Sequence, residues 1–289
     1  MPFPGRAHRA FVLEEDRGIQ GVLLSSARSN RDEWQVDYLA SYYPFSVAYD
    51  LLVIENWRAL VQHASWSAAA SGAQRLYARV PENTVERSVF MDAGFHAYSR
   101  EHFFIFDERP GPVDLPWLPL RPQAKHDSWA IQQLYNATTP SFVRQVVPTS
   151  SKRWELPSYF PNRQSRAAGY VVQGADGVDG YLRAEMISGQ CIVGIMFRPE
   201  IRHELRGVIG TVLAELDISK RSPVYFRLCD HQLELRTVVE ELGASFCGAQ
   251  VLLVRHTLGV IKVSEKQLLP AITGTPRVAP SSGMGHGGG

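Results

Sequence analysis

The sequence predicts an α/β protein, a mixed sheet with helices on both faces, built twice along the chain. Three observations predict it. At 190–216, QCIVGIMFRPEIRHELRGVIGTVLAEL, a continuous apolar run is followed by a basic, glycine-containing segment and then by a helical apolar pattern. A strand–helix–glycine segment also recurs. RLYARVPENTVERSVFMDAGF (75–95) aligns with VYFRLCDHQLELRTVVEELGA (224–244) after one insertion, matching Tyr77 with Tyr225, Arg79 with Arg227 and Gly94 with Gly243. Finally, the proline-rich stretch 107–122, DERPGPVDLPWLPLRP, separates the two copies as a linker would.

Taken in order, residues 10–27 are two strand-like runs around the polar turn Glu14–Gly18, a hairpin. Trp34–Tyr43 is a strand closed by Pro44, with Trp34 and Tyr38 alternating onto a core face. Residues 52–70 carry helical apolar spacing and end at Gly72, where a C-cap glycine falls. Leu76–Val80 is a strand, 84–93 a helix stopped by Gly94, and Phe95–Phe106 two final strands. The pattern restarts with helices at 129–135 and 140–147 and a hairpin, 167–172 with 180–186, across Gly174–Gly177. After the 190–216 segment come a strand at 224–228, a helix at 233–242 ended by Gly243, and a strand at 251–254. The predicted organisation is a truncated first domain at 1–108, a linker at 109–118, a second domain at 119–262 that carries the candidate site and a disordered Pro/Ser/Gly tail at 263–289.

Hydrophobic residues make up 45% and charged residues 20% of the 289, enough for a real core, and the net charge of +1 gives no global field for nucleic acid or an acidic membrane surface. Apolar runs fall short of the ~18 residues that a spanning helix needs. Cys191, Cys229 and Cys247 lack C-x-x-C spacing, which argues against a disulfide framework or a zinc site and for a reducing cytoplasm. His203-Glu204 opens an H-E-x-x-H pattern that Gly207 breaks, so no metal site is read there.

Within 190–216, Cys191–Phe197 reads as a strand buried on both faces, and Arg198-Pro199 stops it, because proline lacks the ladder's N–H. A loop with Arg202, Arg206, Gly207 and Gly210 follows, and the helix is predicted to begin at Val208. A strand, a basic glycine turn and a helix N-terminus can hold a phosphate on free backbone amides. An ordinary tight strand–helix connection would look the same.

These residues are similar to the GNAT superfamily of acyl-CoA-dependent N-acetyltransferases, in a tandem arrangement covering 10–106 and 118–257. The resemblance rests on Arg75–Val80 followed by Met91-Asp-Ala-Gly-Phe95, and on Phe197-Arg-Pro199 with Arg206-Gly-Val-Ile-Gly210 and Leu242-Gly243. It implies acetyl-CoA as co-substrate and no metal. The pyrophosphate would lie on the amides of Arg206, Gly207, Val208, Ile209, Gly210 and Thr211 beside Arg202, and the pantetheine arm on the edge of Met196 and Phe197. It further implies direct attack by an amine of a small molecule or peptide, needing a base, positioning and oxyanion donors rather than a protein nucleophile. The first copy, whose 43–52 segment has no glycine, reads as a degenerate partner.

The chain departs from the family pattern at one glycine between Gly207 and Gly210. It also has Phe90 and Val239 where the family commonly carries a tyrosine acid. Candidate bases are Glu185, otherwise a solvated strand residue, and His231, otherwise a helix-start residue. WELPSYF (154–160) falls in the acceptor-side region, as a lid or as packing. Two functions follow: an N-acetyltransferase, or an inactive tandem module for ligand sensing or protein interaction.

Overall fold

A computed structural model describes residues 8–16, 18–28, 32–41, 49–106, 119–156, 167–175, 177–187, 189–216 and 222–257. The predicted linker 109–118, the tail 263–289, most of the 43–52 loop and the latter part of WELPSYF lie outside these residues. Among the described residues no helix is long and apolar enough to cross a membrane.

The first half runs β1 (His8–Glu15), β2 (Gly18–Ala27), β3 (Glu33–Ser41), α1 (Tyr49–Ala70), β4 (Arg75–Pro81), α2 (Val85–Asp92) and β5 (His96–Phe106). The second runs β6 (Leu120–Pro122), α3 (Ser128–Thr138), α4 (Ser141–Val146), β7 (Ala167–Gly174), β8 (Gly177–Ile187), β9 (Gln190–Phe197), α5 (Leu205–Glu215), β10 (Val224–Cys229), α6 (Arg236–Glu241) and β11 (Ala244–His256). The repeat is visible in its ends. Gly94 (φ +82°) and Gly243 (φ +97°) close α2 and α6 in the left-handed region that glycine enters without a Cβ penalty.

Among the described residues, the strands join one mixed sheet in the order β1-β2-β3-β4-β11-β5-β10-β9-β8-β7-β6. The order is a palindrome about the β11/β5 pair, with β6 added at one end, so the copies are not merely side by side. Each copy's closing strand pairs with the other copy: β11 lies antiparallel between β4 and β5, and β5 antiparallel between β11 and β10. The parallel pairs β3/β4 and β9/β10 occupy equivalent places on either side.

Strand alternation sends two sets of side chains to opposite faces. On one face, Leu76, Ala78 and Val80 of β4 meet Val61 and Ala64 of α1 and Val89 and Phe90 of α2. On that same face of the second half, Val193, Ile195 and Phe197 meet Leu205, Ile209 and Leu213 of α5, together with Val239 of α6. Gly180 sits beneath Phe197, where a Cβ would come within 2.5 Å of the ring. The opposite face is covered in part. Ile131 and Leu134 of α3 with Trp154 pack on Tyr181 and Met196, and Val147 beside α4 packs on Tyr77 of the first half and on Val254 of the exchanged strand β11. The Tyr77 hydroxyl donates to the Val146 carbonyl at 2.7 Å.

Four sequence expectations change. Phe95–Phe106 is one strand, its length drawn out by pairing on both sides. β11 likewise extends well beyond 251–254. Tyr38 is exposed although Trp34 is core, because the β2/β3 register shifts at Asp37 and a bulge there inverts the alternation. The segment after Pro199 is not a loop: Pro199–Glu204 coils into a 3-10 helix that runs directly into α5 at Leu205.

Because β11 completes the sheet between β4 and β5, neither half closes its own sheet. Residues 1–112 and 113–289 expressed separately are expected to be insoluble or to self-associate. Co-expressed, they should form a stable complex, read by size-exclusion chromatography and near-UV circular dichroism.

Candidate functional site

The exchanged strands bring equivalent positions together. Glu101 and Gln250 each lie seven residues beyond their closing glycines, Gly94 and Gly243, and face each other across the β5/β11 pair. The Gln250 side-chain amide donates to Glu101 Oε2. The repeat-matched arginines stand on either side, Arg79 Nε 3.6 Å from Glu101 Oε2 and Arg227 Nε 3.7 Å from Oε1. Burial pushes the Glu101 carboxyl up. The charges of Arg227 and Arg79, with the Gln250 bond, outweigh it and hold the group below the ordinary carboxylate range.

A cavity of about 160 Å³ opens over this axis on the α3/α4 face. Arg28, Arg153 and Arg183 join Arg79 and Arg227 in its wall, and Glu101 is the one carboxylate among the described lining residues. Tyr98, Tyr135, Trp154 and Tyr181 form its aromatic side. Trp154 is fixed through its indole N–H, which donates to Gln132 Oε1 at 2.7 Å, and through its carbonyl, which accepts from Gln123 at 2.7 Å.

The cavity meets the second half where two parallel strands part. β9 and β10 pair as far as Gly194 and Arg227, and beyond that point a wedge opens. Arg198 donates its backbone N–H to Asp179, on the β8 side, and Ile195 presents its carbonyl to Gln232, on the wedge side. By alternation Met196 turns its backbone groups to β8 and its side chain to the cavity, while Phe197 turns its N–H and C=O to the wedge. Gln232 bridges the wedge at its apex: its amide donates to Ile195 O, and its oxygen accepts from Cys229 N at 2.9 Å.

The residues read as a phosphate turn take up helical positions. Leu205 N–H bonds Arg202 O, and the amides of Ile209, Gly210 and Thr211 fall deep enough in α5 to bond carbonyls four residues back. Val208, Ile209 and Gly210 are buried against the sheet. Arg202 is held by Glu234, donating to its carbonyl at 2.9 Å, and Arg206 is exposed at the start of α5. The geometry thus fits an extended arm in the wedge along Phe197, but it does not form a cradle of free glycine amides for a pyrophosphate.

His231 lies beside Gln232 and lines the cavity, and its Nδ1 is buried without a hydrogen-bond partner among the described residues. Burial pulls its pKa below the ordinary histidine value, against the opposing charge of Asp230, so the ring is neutral at pH 7. Asp230 is itself engaged with His102 at 2.8 Å. Glu185 stands apart from the cavity wall, its carboxylate accepting from Arg183 Nε at 2.7 Å. Cys229 also lines the cavity, but burial and then the Glu101 charge push its thiol up to about 12, which keeps it protonated. Among the described residues no group of three or more His, Cys, Asp or Glu could hold a metal ion.

Sequence reasoning missed Arg28, Arg153, Glu101 and Gln232. It paired Arg79 with Arg227 but had no means to place a carboxylate between them.

No protein-family model matches the chain, and no curated protein matches it in sequence. Solved structures do. The chain is similar to a tandem GNAT protein from the clavulanic acid biosynthesis pathway (TM-score 0.54, 16% identity, covering 88% of this chain and 84% of that one). It is also similar to GCN5-related N-acetyltransferases from Kribbella flavida (0.51, 13%, 86% and 89%) and Sphaerobacter thermophilus (0.50, 14%, 84% and 82%). The fold is therefore that of the GNAT acetyltransferases, in a tandem arrangement.

Glu101→Gln leaves two guanidinium groups facing an uncharged amide. It is expected to lower stability by about 3 kcal/mol at pH 7, a typical cost of breaking a buried pair. A carboxyl whose pKa is depressed on folding contributes fully above its unfolded value, and the contribution fades as pH falls through the folded value. Denaturant titrations of variant and wild type should therefore begin to converge only as pH falls below about 4.

Proposed function

We propose that the chain is an acyl-CoA-dependent N-acyltransferase that moves an acetyl group to the amine of a small molecule or peptide by direct attack. The observation carrying this reading is the wedge between β9 and β10, which opens beside His231 onto the cavity at the axis. Acyl-CoA, when bound, supplies the acyl group and a thiolate leaving group. The chain's part is to position and to move a proton. Phe197 offers its backbone edge to the arm, and exposed Arg206 adds charge at the positive end of α5 for the phosphates. His231, neutral and with Nδ1 free among the described residues, accepts the proton that the attacking amine loses. Glu185 orients Arg183 rather than acting as base. The protonated Cys229 thiol favours direct attack over a covalent intermediate on the enzyme.

This reading assigns the cofactor to the second domain, 119–262, and keeps the first, 1–108, as a partner that completes the cavity through Arg28, Arg79 and Glu101. Cys191, Cys229 and Cys247 form no disulfide with one another, which suits a reducing cytoplasm. One observation favours the alternative, a binding module without transfer: Gln232 already spans the wedge.

Acetyl-CoA at 100 times Kd should stabilise the chain by about 2.7 kcal/mol, a rise in Tm of roughly 5–8 °C. Arg206→Glu should reduce that rise, whereas Gly210→Asp is a poor probe because it buries a carboxylate inside α5. No rise at millimolar acetyl-CoA would favour the binding module. If transfer is measured, His231→Gln should lower kcat/KM by about 10²–10⁴. It should also remove an acid limb lying below the ordinary histidine pKa, since the wild-type base is lost only when the ring protonates.

A further inference from the structure

We infer that the cavity at the β5/β11 axis is an oxyanion site, and that the acceptor it admits is an amine carrying a doubly charged oxyanion, either a dicarboxylate or a phosphate ester. The acceptor role rests on the acyltransferase reading; the anion site does not.

The charges in the wall do not balance. Arg183 is paired with Glu185, and Arg79 and Arg227 share the single carboxylate of Glu101. Arg28 and Arg153 have no carboxylate partner among the described residues. Five guanidinium groups against Glu101 and Glu185 leave three positive charges in excess around one small cavity that is partly open to solvent. Like charges gathered there repel one another and lose hydration, and they serve no folding purpose that neutral side chains would not serve better. Loss of hydration around the guanidinium comes first, and the neighbouring charges of Arg28, Arg227 and Arg79 add to it, in drawing Arg153 below the ordinary arginine value, although the residue as a whole keeps an exposed surface.

The arginines are also arranged to receive oxygen atoms. Arg28 lies over the Tyr77 ring, 4.2 Å from its centroid, and Arg153 approaches the Trp154 ring at 5.8 Å. Stacking secures a guanidinium by its face and leaves its N–H edge available. The Arg79 and Arg227 contacts with Glu101, at 3.6 and 3.7 Å, are longer than the ~2.7–2.9 Å of a charge-assisted hydrogen bond. Their forks are not saturated. An ion with two charges and several oxygens matches this set, and a monoanion would leave excess charge behind.

The test is the thermal shift of the full chain at constant ionic strength with sodium phosphate, glutarate or acetate. Phosphate or glutarate at ten times its Kd should raise Tm by about 3 °C or more, with acetate well below either. The larger of the two dianion shifts identifies the source, phosphate ester or dicarboxylate. In Arg28→Gln/Arg153→Gln both dianion shifts should vanish while any shift with acetyl-CoA persists. Should the double variant fail to fold, Arg153→Gln alone, at an exposed position, is expected to reduce the dianion shift at least threefold. No dianion shift in the wild type, acetate equalling the dianions, or shifts unchanged in the variants would each overturn the inference. A dianion shift without an acetyl-CoA shift would keep the anion site and discard the transferase reading.

Discussion

The exchange of closing strands is the constraint on which everything else depends. β11 cannot pair with β4 unless the second half has delivered it there, and β5 cannot pair with β10 unless the first half has done the same. The sheet is therefore a property of the whole chain. So is the cavity, whose wall draws Arg28, Arg79 and Glu101 from one half and Arg153, Arg227 and His231 from the other. A tandem arrangement commonly suggests two independent sites. Here the doubling places a cavity on the axis between the copies, lined among the described residues by both.

Glu101 gives that axis its specificity. A buried ion pair is not a strong source of net stability, because desolvating the charges offsets most of their attraction. Its effect is larger on the alternatives. A slip of one residue between β5 and β11 would carry Glu101 to the opposite, apolar face among Phe104 and Leu253. It would also leave Arg79 and Arg227 without their shared partner. The register that places Glu101 opposite Gln250 thereby fixes the width of the cavity and the positions of the arginines around it.

Much of the architecture was legible in the sequence, for identifiable reasons. Helical spacing ending in Gly72, Gly94 and Gly243 marked three helices, and the repeat marked β4 with α2 and β10 with α6 as equivalents. Strand exchange was not legible, because alternation shows which face a residue takes and not which strand lies beside it. The bulge at Asp37, which turns Tyr38 outward, leaves no compositional mark. The helical fate of 199–204 was hidden by Pro199, which reads as a strand stop and is equally suited to the first turn of a helix. Of the cationic wall, Arg79 and Arg227 were visible as a matched pair. Arg28 comes from the end of a hairpin and Arg153 from a 3-10 turn, places without periodicity to betray them.

The wedge between β9 and β10 decides between an enzyme and a scaffold, and a crystal structure of the chain soaked with CoA tests it most directly. The account predicts the pantetheine arm along the Phe197 edge, Gln232 displaced or sharing its bonds with the arm, and the sulfur opening toward His231 and the cavity. CoA bound only in the first half, or a wedge still closed by Gln232 with no CoA in it at saturating concentration, would contradict it.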